Sequence, residues 1–191
     1  MEHPRTRPRA GRRAALATAA YLLLFAGQSL GWPRPQVKRY AAPLLDERVG
    51  YGVAEGRDFL VALGTAGRRL FLVAQLVDLA IAGVGVLAAW WLAGWLVQRA
   101  GVAGGVARRL RIAVPAALGL AELADNGFLI AVTLAGARAP DWLLRASMVA
   151  TAAKYPLFAL VLLSFATLAV LALARRRRWF SRRRRPGRAA A

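Results

Sequence analysis

Two carboxylic acids, Glu122 and Asp125, and one amide, Asn126, fall within the otherwise apolar stretch "AELADNGFLIA". Asp78 sits in a second apolar run, "LVAQLVDLAIAG", and Lys154 in a third, "ATAAKYPLF". Acids, an amide and an amine brought to one place suit proton transfer. A carboxylic acid could protonate an alkene or polarise a carbonyl while a neighbouring carboxylate stays ionised beside the lysine. The chain has no cysteine, which excludes disulfides and thiolate chemistry, and its one histidine, His3, stands almost at the N-terminus. An ordinary metal site is therefore not expected, and no cofactor is implied.

Those five residues need membrane helices to hold them. Of the 191 residues, 58% are hydrophobic and the mean hydropathy is +0.42, above the ~45–50% apolar share of soluble domains. The excess is concentrated in four blocks, about 14–30, 70–97, 112–135 and 147–174. Each approaches or exceeds the ~20 residues that a helix needs to cross ~30 Å of hydrocarbon. The expected fold is all-α: a four-transmembrane-helix bundle forming one membrane domain over 14–174. Basic tails at 1–13 and 175–191 flank it, and a first loop spans 31–69. The "RPRAGRR" lead into the first block also suits a signal peptide, but "AGQSLGW" followed by Pro33 is a poor cleavage site, which favours a retained anchor.

Arginine and lysine orient the bundle. The N-terminal tail, the loop between spans two and three and the C-terminal tail carry five, four and nine basic residues; the first and third loops carry seven and two. That bias predicts a multi-pass membrane protein with both termini in the cytoplasm. The "RRRRWFSRRRRPGR" tail starts where span four leaves the bilayer, so anchoring to anionic lipids explains it better than nucleic acid does. Trp179 and Phe180 suit a headgroup-level anchor, and Trp90, Trp91 and Trp95 an interfacial belt. In the first loop Val53, Phe59, Leu60 and Leu63 recur at helical spacing before Gly64. They predict a short amphipathic helix over about 54–63 in this extracytoplasmic loop, where the simpler alternative is a plain connection.

Depth places the ionisable groups in one layer. At ~1.5 Å per residue, Asp78 lies ~12 Å, Asp125 and Asn126 ~14 Å and Lys154 ~10 Å from the outer surface, with Glu122 one turn deeper. Phase agrees: Glu122, Asp125 and Asn126 share an arc of about 100°. Gln75, Asp78, Ala82 and Gly85 form one stripe, Ser147, Thr151 and Lys154 another beside Tyr155, and Tyr21 and Gln28 share a face of span one. Asp78, Glu122, Asp125 and Lys154 are thus candidate catalytic residues; Gln75, Asn126, Thr151, Tyr155 and Tyr21 are candidate substrate contacts. Lys154 is expected to pair with Asp78 or Asp125. Such pairs can serve only to fix helix register, but three acids exceed what one lysine neutralises, and that surplus favours a site. Pro115 and Pro156 are expected to kink spans three and four and open a cavity there.

Taken together, "LLDERVGYGVAEGRDFLVALGTAGRRLFLVAQLVDLAI", "AELADNGFL" and "ATAAKYPL" resemble a group of small uncharacterised bacterial four-span inner-membrane proteins. That group's pattern joins an Asp-x-x-Phe-Gly-Tyr segment, a loop helix ending in Leu-Gly-x-x-Gly-Arg, an intramembrane Asp, an Asp-x-x-Glu-Asn motif and a last-span Lys. Asp46, Gly50, Tyr51, Leu63, Gly64, Gly67, Arg68, Asp78, Asn126 and Lys154 take those places. Val49 stands where Phe is usual, and Glu122 and Asp125 exchange the two acids. The resemblance implies the fold and the place of the site, and no activity.

Three functions fit: a lipid or isoprenoid enzyme working by proton transfer, a proton-relay or transport component, and an accessory subunit whose cluster only fixes packing. Expected partners are membrane lipids, with a second copy or another membrane protein as the alternative, and no nucleic acid.

Overall fold

In the computed structural model, residues 7–183 are described, with side chains described for residues 9–177. The outer parts of both basic tails, with His3, Trp179 and Phe180, fall outside the described side chains. Five α-helices make the frame: α1 (Arg7–Ala26), α2 (Arg34–Val37), α3 (Val53–Ala100), α4 (Gly104–Ala135) and α5 (Asp141–Arg183). Four stretches, Arg9–Val37, Val53–Ala100, Gly104–Arg138 and Asp141–Arg177, are long and apolar enough to cross a membrane. The chain is a multi-pass membrane protein with an all-α four-span bundle. Leu23, Leu30, Leu120, Leu162 and Val170 are among many large apolar side chains that face outward, as a lipid solvent allows and water would not.

Spans one and four are the outer ones. Only 11% of their most apolar windows is buried, against 33% for spans two and three. Helix α1 packs chiefly on α3, while α3, α4 and α5 pack on one another. Among the described residues no substantial contact joins α1 to α5. Tyr21 of α1 lies so close to Gly85 of α3 that a Cβ on that glycine would come within 2.9 Å of the ring. A glycine there lets two helices approach, as bundle packing in lipid requires.

At the loop end of the bundle a helix forms where spacing predicted it. Residues 53–63 make one limb of α3, started by Glu55 accepting from the Gly52 N–H at 2.7 Å. Gly64, at φ 59° and ψ −167°, breaks the limb before the span continues to Ala100. A side chain there would be strained, so glycine makes this corner. The limb buries Phe59, Leu60 and Leu63 against Leu129, Val132 and Leu144 of the spans. It is half of a roof over the bundle.

The loop before it supplies the other half. Val37, Leu44 and Leu45 are completely buried in the same cluster. Each such burial is worth about 1.5–3 kcal/mol, enough to hold the loop down without any charge pair. At the opposite end, guanidiniums of Arg13, Arg111 and Arg99 lie over the rings of Trp91, Trp90 and Trp95 at 5.2, 5.0 and 4.9 Å. These cation–π pairs make the collar of arginine and tryptophan expected at an interface.

Candidate functional site

The helix faces predicted to meet do meet. Asp125 and Asn126 are fully buried, and Asp78 and Lys154 are 9% and 8% exposed. Lys154 pairs with Asp125, not with Asp78. Asp125 also accepts from the Thr151 hydroxyl at 2.5 Å, so one carboxylate of α4 takes two donors from one face of α5. Glu122 stands 4.0 Å from Lys154 on its other side. The Asn126 amide donates to the Glu122 carboxylate at 3.1 Å and to its backbone carbonyl at 3.0 Å. Four-residue spacing on one helix makes both bonds possible.

Asp78 has a different partner, one that span reading missed. Arg34, at the start of the short helix α2, turns inward and pairs with Asp46; it lies 3.6 Å from Glu47 and 4.0 Å from Asp78. Lys38 closes the group with a 2.8 Å bridge to Glu47. Arg34 and Asp46 are 9% and 5% exposed, although both belong to the first loop between spans. Tyr155 donates to the Asp46 carbonyl at 3.1 Å and ties α5 to the roof. Tyr51 and Ser147 share a 2.8 Å hydroxyl bond nearby. The cluster therefore holds a second cation and further acids, and the acid surplus persists. Asp46 was already visible in the family pattern, and that unbalanced surplus was the one hint of a missing cation.

Beside this cluster lies a cavity of about 610 Å³, within the range of small-molecule sites. Asp78, Glu122, Lys154, Tyr21 and Tyr155 line it, together with Arg34, Asp46 and Glu47. Asp125, Gln75, Asn126 and Thr151 do not: they form the packed layer behind. Gln75 is wholly buried, and neither atom of its amide has a partner among the described residues. All charged linings stand at the loop end. Beyond them the wall is Ala88, Ala89, Leu92, Leu118, Val161 and Phe165. From Asp78 to Leu92 is fourteen residues, so the apolar part extends ~20 Å along the span.

Its opening arises differently from what the prolines suggested. Pro115 and Pro156 sit inside continuous helices, and neither lines the cavity. The space exists because α1 and α5 both line it without packing together. Gln28, expected on the same face as Tyr21, also meets α3, where its amide donates to the Ala74 carbonyl at 3.4 Å, but it does not line the cavity. Ser29, in the wide π turn over Gly27–Gly31, does.

Burial in the roof pushes the Asp46 carboxyl above its ordinary 3.8, with the Arg34 guanidinium opposing the shift without cancelling it. A carboxyl that holds its proton more tightly when folded lowers stability as pH rises from its unfolded value through its folded one. The wild type should accordingly lose stability relative to Asp46→Asn as pH climbs from about 4. Unfolding midpoints of the two proteins across that range check this, and a constant difference would contradict it.

No protein-family profile, no curated protein and no solved structure matches the chain. The likeness to the four-span bacterial group rests on the quoted residues alone.

Proposed function

We propose that the chain takes the head of a membrane lipid or isoprenoid at the loop end of this cavity and exchanges a proton with it. The observation behind this reading is the cavity's division, with every charged lining at one end and an apolar wall beyond. An amphiphile is divided in the same way. Asp78 and Glu122 are the proposed proton-exchanging groups, one on each side of the head. Arg34 and Lys154, each held by a buried carboxylate, keep positive charge beside them, and Tyr21 and Tyr155 orient the head. Asp125, with two bonds from α5, serves as the register pin that the packing reading describes. A relay across the membrane has less support, because among the described residues no ionisable side chain lines the apolar end.

The arginine bias and the Arg–Trp collar support both termini lying in the cytoplasm, and the resemblance to the four-span bacterial group is what suggests the inner membrane. Reporter fusions after Arg138 and after Gly101 should then report opposite sides; the reverse assignment would overturn the orientation.

Asp78→Asn and Glu122→Gln test the chemistry. Asp78 makes no hydrogen bond among the described residues, so its amide is sterically and electrostatically tolerable. Both variants should fold and still carry lipid, but should convert it ~10²–10⁴-fold more slowly. Mass spectrometry of the species bound to purified protein then shows a shifted substrate-to-product ratio. Identical bound species in the same ratio would remove the proton-transfer reading.

A further inference from the structure

We infer that the ligand of this cavity is a single-chain amphiphile whose head donates hydrogen bonds and carries no negative charge, entering sideways between α1 and α5. This rests on the lipid-site reading above and narrows it.

The charges already present decide the head. Arg34 faces three carboxylates, those of Asp46, Glu47 and Asp78. Lys154 faces two, those of Asp125 and Glu122. Neither cation is free for a phosphate, which would have to displace a buried carboxylate and then lie against Asp78 and Glu122. What the wall offers is acceptors. Asp78 and Glu122 line its charged end, and their side chains are each 12% exposed. Asp78 accepts no hydrogen bond among the described residues, and a hydroxyl or ammonium head would supply a donor to it.

Length decides the tail. The apolar wall runs ~20 Å along the span from Asp78 to Leu92, the reach of one extended isoprenoid or alkyl chain below a small head. The route follows from packing. Helix α1 is fastened to α3, α5 is fastened to α3 and α4, and the pair that would close the side of the cavity is not in substantial contact.

The test compares heads on one tail. Full-length protein in nanodiscs of zwitterionic lipid is offered geranylgeraniol, geranylgeranylamine, geranylgeranyl diphosphate or dioleoylglycerol, and retention is read by native mass spectrometry. The alcohol, the amine or both should be retained one per chain, at least tenfold more tightly than the diphosphate and the diacylglycerol. Leu92→Trp, which fills the apolar end, should reduce that retention; unchanged retention would place the ligand elsewhere and overturn the inference. The Asp78→Asn/Glu122→Gln variant should narrow the discrimination against the diphosphate. If the diphosphate binds as tightly as the alcohol, the head-charge inference fails while a lipid site stands. If the diacylglycerol does so, the single-chain inference fails in the same way. If the wild type retains none of the four, the lipid-site reading itself falls. Wild-type selectivity carries these decisions even where a variant fails to fold.

Discussion

Lys154→Met is expected to destabilise the folded chain by about 3–5 kcal/mol, the usual cost of stripping one partner from a buried ion pair. Asp125 is the reason. It has no exposed surface, and without the ammonium its only donor among the described residues is the Thr151 hydroxyl. Glu122 loses its nearby cation in the same step. Burying a lone carboxylate costs far more than the pair contributes as a net stabiliser, so the sign of the effect is not in question. Adding Asp125→Asn should recover most of the loss, because the amide oxygen still accepts from Thr151 and no charge is stranded at position 125. Recovery should be incomplete, since Glu122 is left unbalanced. Unfolding curves in mixed micelles for the wild type, both single variants and the double variant give the coupling energy. A Lys154→Met protein as stable as the wild type would show that Asp125 and Lys154 are not a functional pair.

Arg34→Met should cost a similar ~3–5 kcal/mol, but the damage should be local. The guanidinium is the shared partner of Asp46, Glu47 and Asp78, so its loss leaves Asp46 buried beside two other acids. Val37, Leu44 and Leu45 still anchor the loop, at about 1.5–3 kcal/mol each. The roof therefore stays attached and loses its fixed position. Hydrogen exchange should accelerate over residues 33–47 while α4 and the long limb of α3 keep their protection. Asp46→Asn in the same background should restore only part of it, because Asp78 also loses its cation. Uniform acceleration through the whole bundle would mean instead that Arg34 supports global folding.

Much of this molecule is legible in one dimension. The four spans follow from apolar length, the 53–63 limb from helical spacing closed by Gly64, and the common depth of Asp78, Asp125 and Lys154 from a constant rise per residue. These are local properties, set by neighbours along the chain. The sequence thus determined that several carboxylates and a lysine share a layer of the membrane. It did not determine which carboxylate meets which cation, since Asp78 and Asp125 are equally deep and only helix rotation separates them. Nor did it disclose that Arg34 and Asp46, in the loop between spans one and two, fold back over the cluster. That contact joins positions 34, 46 and 78, and it exists because apolar residues elsewhere in the loop bury themselves against α3. The tertiary structure alone decided that Asp125 sits behind the cavity wall while Glu122 sits on it, and that the open side lies between α1 and α5. Packing between residues far apart in the chain settles such matters, and no local pattern encodes it.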